Sequence, residues 1–425
     1  MLASAAPVAT AQAPASRWML PAICSAAFLV FAQTFMVAPL IPRLSVVFAS
    51  PIAWVALAVP AYILPQGLAT LWVGPLSDRL GRRNVILGSL LAFIALTAAT
   101  ASAHHIGTFI AWRIATGVSA AGVVPICLTL IGDVVPFQRR GRAVGWMFGS
   151  IAGGTATGAV VGALLEPVLG WRSLFLCTAA LCAVVVAFAL GTRAFPRRIQ
   201  DRAKATWLAV MYGYAQLLSQ ARAQRTYGYV LLNATLQSGV FTWLGVYLHQ
   251  RFGLRETGIG LVLLGYGIPG LLFGPLVGKL ADRYGRALIV PAGVALTGAC
   301  ALLLALPLPL IAVQAAIVLL SLGFDLTHPQ LAAIATDLRG GGRGQAVALM
   351  AFSLFTGFGV GSLLFQATLA LGFPGAFDVF GVVALLAAGA AGVLFRHERP
   401  QATPPSSRQP ALPTEPPIHH PPPQA

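Results

Sequence analysis

Long apolar runs alternate with short polar gaps along almost the whole chain. A helix needs about 20 mostly apolar residues to cross the hydrocarbon core of a bilayer. The pattern predicts twelve such spans, at 18–40, 52–74, 85–103, 107–132, 143–165, 173–192, 227–249, 257–277, 288–306, 309–336, 346–368 and 375–395. The gaps are short except for 193–225, which is basic and separates six spans from six. The chain therefore reads as an all-α membrane protein. Its expected parts are a tail at 1–17, a six-helix half at 18–192, a central loop at 193–225, a second half at 226–395 and a tail at 396–425. Trp207, Leu208, Met211 and Leu218 predict an amphipathic helix on the membrane surface within the central loop. Ten of the 30 prolines follow Arg399, which predicts disorder for the last tail.

The halves repeat one another. GPLSDRLGRRN at 74–84 returns as GKLADRYGRAL at 278–288, a shift of 204 residues. Gly74, Asp78, Gly81 and Arg82 thus match Gly278, Asp282, Gly285 and Arg286. The same shift relates Gln33 to Gln237, Tyr62 to Tyr266, Pro125 to Pro329 and Asp133 to Asp337. An internal duplication of apolar helices points to a transporter.

Charge sets the orientation. Only 9% of residues are charged, against about a quarter in soluble domains. The net charge of +16 lies in short gaps between spans, which fits membrane orientation and not a nucleic-acid groove. With both termini in the cytoplasm, 22 of the 27 Lys and Arg residues fall on the cytoplasmic side. Arg outnumbers Lys 25 to 2, a bias expected of a GC-rich bacterial genome, so the predicted location is a bacterial inner membrane. The five cysteines sit inside apolar runs without metal or disulfide spacing, and the uncharged start predicts that the first span stays uncleaved. No phosphate loop of the G-x-x-x-x-G-K-[ST] type occurs, so ATP is not the expected energy source. No metal and no other cofactor is expected.

Twelve spans, the six-plus-six duplication and the G-x-L-x-D-R-x-G-R-R loop resemble the major facilitator superfamily over roughly 18–395. The resemblance implies two pseudo-symmetric halves that rock about a central cavity. It also implies a gate in the loop after the second span, with Asp78 facing the start of the eleventh span and Arg82 pairing with Asp133. The glycines there would give a tight turn and close approach. Asp282, Arg286 and Asp337 would form a weaker mirror-image latch, since Ala287 replaces Arg83.

Within the spans, Arg113 and Gly117 resemble a second family motif, in which the arginine is linked to proton coupling. The alternative is an arginine that snorkels to the outer interface. Glycines at 145, 149, 153 and at 154, 158, 162 form two stripes in the fifth span. Small-residue stripes let helices touch backbone to backbone. The spacing partly resembles an antiporter signature, with Gly154 in place of its proline and Thr157 in place of one glycine. Asp325 is the one acid near the middle of a span; His328 is three residues on and Pro329 follows. A buried carboxyl that loads and releases a proton is one reading, and a carboxyl held by Ser, Thr or Gln side chains is the other. Gln33, Gln66, Asn233, Gln237 and Gln366 either face the cavity or join helices. Trp72, Trp243, Phe241 and Tyr266 are cavity, packing or lipid-facing aromatics.

The expectation, from a resemblance to the drug/sugar-efflux branch of the superfamily, is a monomeric proton-coupled exporter of a small molecule (a drug-like compound, sugar or metabolite), with lipid and protons as its other partners. Its rival is a proton-coupled uptake symporter. A transport-inactive receptor or a membrane-embedded enzyme is the alternative of another class; the paired gating charges and the absence of clustered nucleophiles and bases argue against it.

Overall fold

The structure, a computed structural model, describes residues 16–196, 206–267, 269, 280, 283–338 and 343–398. Gly278, Asp282 and the tail from 399 lie outside the described residues. Within them the chain is a bundle of helices joined by tight turns. The first half contains α1 (Met19–Phe35), α2 (Ile41–Val47), α3 (Ile52–Ala56), α4 (Pro60–Leu80), α5 (Arg82–Thr100), α6 (Ile106–Ala120), α7 (Val124–Val134) and α8 (Phe137–Gly191). Next come α9 (Trp207–Leu218), α10 (Ala221–Phe252) and α11 (Glu256–Leu263). The last helices are α12 (Arg286–Ala305), α13 (Leu310–Thr336), α14 (Arg343–Thr368) and α15 (Gly372–Leu394).

Several predicted boundaries move, for local reasons. The first span runs on to Val47 through a 3₁₀ turn at Ala38–Leu40, where Pro39 and Pro42 cannot donate to the preceding turn. The fourth is two helices, α6 and α7, which part just before Pro125. The fifth and sixth are both in α8, divided at Gly170 with φ 75°. The eleventh and twelfth part at Gly372, with φ 73°. The seventh is longer than expected, since α10 runs on until Gly253 caps it at φ 64°.

Among the described residues, eight stretches are long and apolar enough to cross a membrane, and those at 142–191 and 344–394 are each divided by a positive-φ glycine into two spans. The more polar α10 makes the seventh span, and the eighth begins at α11 and passes out of the described residues. α1 packs on α8, α10 on α14, and α12 between α13 and α15. The halves meet where α4 lies antiparallel to α14. A methyl on Gly67 would touch Phe355 Cβ at 3.0 Å. Gly245 of α10 meets the Pro39 backbone in the same way. The turns at Gly81 (φ 86°) and Gly285 (φ 81°) are 204 residues apart and adopt the same left-handed geometry. They lie at what we term the basic end of the bundle.

Candidate functional site at the seam between the halves

At the basic end, Arg82 is buried and pairs with Asp133, and its Nη2 is 3.4 Å from Asp78. Gly81 makes the turn that starts α5 at Arg82. Gly74, by contrast, lies inside α4, and among the described residues nothing comes within 4 Å of where its methyl would be. The second copy is looser. Arg286 reaches Asp337 at 3.2 Å, and both are partly or well exposed. The Asp78 pairing seen is with Arg82; residues 339–342, just before α14, lie outside the described residues.

The sequence reading missed a third cluster at this end. Glu398, just past α15, accepts hydrogen bonds from Arg222 Nε (2.8 Å) and Nη2 (2.9 Å) and from Arg225 Nη2 (2.5 Å). Its carbonyl accepts from Ala287 N–H at the start of α12. The two guanidinium groups, Arg222 foremost, hold this carboxyl below the usual glutamate range. A lone acid after the last apolar run, opposite an arginine-bearing loop, was the available signal.

Arg113 is fully buried and does not snorkel. Its Nε donates to Ala58 O (3.1 Å), its Nη1 to Gln33 Oε1 (2.9 Å) and its Nη2 to Thr34 O (3.2 Å). The guanidinium also lies 4.3 Å from the centre of the Tyr62 ring. Among the described residues no carboxylate pairs with it. Carbonyl oxygens and a ring face thus stabilise a cation inside the first half, where hydrocarbon would reject it.

The matching place in the second half is built without the cation. Position 317 holds Ile317, and Gln237 donates directly to the Tyr266 hydroxyl. Tyr266 lies 4.3 Å, ring to ring, from Phe241. Asp325 is half-buried and accepts one long bond, 3.4 Å, from Ser321 a turn earlier. No ion pair or hydrogen bond joins it to His328 among the described residues. His328 instead stacks on Phe324 at 5.2 Å, and its Nδ1 finds no partner among the described residues.

Aromatic rings close the seam. Phe35 of α1 touches Phe241 of α10 (5.8 Å) and Phe358 of α14 (6.0 Å). Phe31 touches Phe355 (6.1 Å), and Phe358 meets Phe324 (5.8 Å). On α1, α4 and α10 lie amides whose polar atoms are buried without partners among the described residues: Gln33 Nε2, Gln66 Oε1, Gln237 Oε1, and both ends of Asn233. Buried polar groups are normally bonded, so such a group of orphans marks a place for water or a ligand. Gln366 reaches across to Ala53 O at 3.3 Å and joins helices. Trp243 packs inside and donates to Ser362 O, whereas Trp72 is exposed on the outside of the bundle.

One of the two glycine stripes makes the expected contact. A methyl on Gly154 or Gly158 would collide with the carbonyls of Phe28 or Ala32, and one on Gly162 would touch Met36 Cβ at 3.0 Å. The 154/158/162 stripe therefore seats α8 directly on α1. Gly149 is exposed, with nothing within 4 Å of a methyl there among the described residues, so its expected packing role is corrected; Gly153 is buried. Both stripes have the same period, and only the rotation of α8 separates them.

A helical bundle of duplicated halves, with paired charges at one end and a polar-aromatic seam in the middle, is the architecture of a membrane carrier. The sequence model of the Major Facilitator Superfamily matches residues 23–337 and 230–421, and the chain belongs to that family. It is 26% identical over 275 residues to the uncharacterized MFS-type transporter YwfA of Bacillus subtilis (strain 168), covering 64% of this chain and 66% of that one. It is 25% identical over 276 residues to a chloramphenicol resistance protein of Pseudomonas aeruginosa, covering 64% of each. The alignments thus span about two thirds of these relatives' lengths. In fold it is similar to a bacterial homologue of the human lysosomal transporter Spinster, in an inward-facing and unoccupied conformation. The TM-score is 0.71 and the identity 16%, over 92% of this chain and 99% of that one.

Proposed function

We propose that the protein is a proton-coupled exporter that works by alternating access, with its basic end in the cytoplasm. The observation that carries this is the seam: rings from both halves meet, the helices around it carry unpaired neutral amides among the described residues, and one carboxylate, Asp325, directly follows the seam ring Phe324. Such a surface suits an uncharged or weakly basic compound bearing an aromatic ring. Rings give it stacking area, and the amides offer both donors and acceptors. A carboxylate in a low-dielectric setting favours its neutral form, so its proton can exchange as the site faces each side. Each elementary charge entering down the membrane potential supplies about 2.3 kcal/mol per 100 mV. Export is supported by the partial antiporter-like glycine spacing at 149–158 and by similarity to a protein named for chloramphenicol resistance. In this reading Arg82, Asp78 and Asp133 hold the basic end shut, and Arg286 with Asp337 does so more weakly.

The test uses everted vesicles, energised to an acid interior and screened with aromatic amphiphiles while a pH-sensitive dye reports proton release. Substrate addition should discharge the gradient, and labelled substrate should accumulate inside. Substrate leaving these vesicles down the proton flow would instead make the protein an uptake symporter.

A further inference from the structure

We propose that α9 is a strap. It lies in the bilayer leaflet at the basic end, fastens α4 of the first half to α14 of the second, and must release α4 when that end opens. The inference rests on the two halves moving, not on what is carried or in which direction.

Only Ser219 and Gln220 separate α9 from α10, so α9 travels with the second half. Its inner face, Val210, Tyr214 and Leu217, joins one buried cluster with Tyr227 of α10 and Leu349 of α14. Gln345 of α14 donates to Val210 O at 3.3 Å and lies against Gly213, where a side chain would strike it.

The link to the first half is narrower and more specific. The Tyr214 hydroxyl donates to Leu71 O at 3.0 Å. In an α-helix that carbonyl would accept from residue 75, but Pro75 has no N–H to offer. A proline in α4 thus frees one acceptor, and α9 fills it. Leu71 packs on the same cluster. Trp207 adds a ring contact to Trp72 at 5.4 Å, and the Arg79 guanidinium lies 5.0 Å from the Trp207 ring centre.

The outer face of α9 decides where it lies. Leu208 is 82% exposed and Tyr212 71%, with Met211 and Leu218 also exposed. On α4 the exposed Leu68, Trp72, Leu76 and Leu80 recur every four residues, a stripe that faces lipid. The Trp72–Trp207 contact makes the two surfaces continuous, so acyl chains cover both. Lipid therefore presses α9 across the seam. Its broad apolar contact with α10 and α14 persists, and the Tyr214–Leu71 hydrogen bond and the contacts of Trp207 with Trp72 and Arg79 are where it parts from α4.

The test follows distance between the basic ends in full-length protein in lipid nanodiscs, without substrate. Spin labels replace Asn84 at the start of α5 and Leu288 at the start of α12, in a background free of native cysteines. Tyr214→Phe keeps the ring and removes only the bond. It should raise the ratio of open to closed molecules roughly two- to tenfold, the range one neutral hydrogen bond supplies. Tyr212→Phe, on the lipid face, should leave the ratio unchanged. A cleavable thiol linker between Trp72→Cys and Trp207→Cys, with fluorescent labels at 84 and 288, should abolish the open population until the linker is cut. An unchanged ratio in Tyr214→Phe, or opening while the linker is intact, overturns the strap. Because no substrate is present, either result is separate from failure of the exporter reading.

Discussion

Gln237 hydrogen-bonds Tyr266 directly. Their counterparts 204 residues earlier, Gln33 and Tyr62, are joined instead through Arg113, which bonds the first and lies over the second. Duplication has left matching residues in both halves, and one added cation makes them chemically different. The first half is a fixed positive site held by carbonyls. The second has neutral partners and a carboxyl, Asp325, with one weak bond.

Arg113→Leu should destabilise the protein severely. It strands the carbonyls of Ala58 and Thr34 and the Gln33 amide oxygen, at about 1–3 kcal/mol for each buried group left unpaired. Thermal unfolding in detergent would show this as a large drop in midpoint. Arg113→Lys keeps the charge but cannot reach three acceptors at once, so its midpoint should fall in between.

Asp325→Asn should bind substrate yet lose gradient-driven movement. The amide keeps the shape and the Ser321 contact but cannot release a proton. Equal dye responses in wild type and variant would clear Asp325 of proton coupling and direct attention to His328.

Gly158→Ala should abolish activity or assembly, because the methyl meets the Ala32 backbone, while Gly149→Ala should behave as wild type. Backbone does not yield as a flexible side chain does. Transport by both variants at wild-type levels would show that α8 and α1 separate easily.

Charge pairs at the basic end should differ in strength. A double-mutant cycle on Arg82 and Asp133 should give a coupling energy well above that for Arg286 and Asp337, since exposed pairs contribute about 0–1 kcal/mol. Equal couplings, measured by thermal unfolding, would contradict the difference in burial.

Glu398 sets a pH dependence whose sign is fixed. Its folded carboxyl titrates below its ordinary value, so the contribution is complete above the unfolded range near about pH 4.3 and is lost as pH falls through the folded value. Glu398→Gln should therefore lower the unfolding midpoint at pH 7, with the gap to wild type closing in acid.

Much of this was legible in the chain because it depends on spacing. The duplication and the apolar runs follow from residue types at fixed intervals, and the Arg82–Asp133 pairing was implied by the resemblance to the superfamily. Other features depend on rotation and reach. Two glycine stripes of equal period could not be ranked without knowing which way α8 turns. Arg113 finds backbone carbonyls, which every residue carries and no sequence marks. Trp72 faces outward, as its neighbours Leu68 and Leu76 at four-residue spacing already hinted. Glu398 was assigned to a tail because the apolar run had ended, yet it ties three helices together.

Towards the end of α10 remote from Ala221, Gly245 lies against Pro39, where a methyl would come within 3.0 Å of the Pro39 Cα. Such a contact acts as a fulcrum, since nothing there can compress. From Gly245 to the start of α10 at Ala221 the helix makes a lever about 36 Å long, at 1.5 Å per residue. A tilt of about 10° would then sweep its far tip through about 6 Å, by the same helix geometry. A bulkier residue at 245 would shift the pivot and change how wide the opposite mouth can gape, without touching any group that binds cargo.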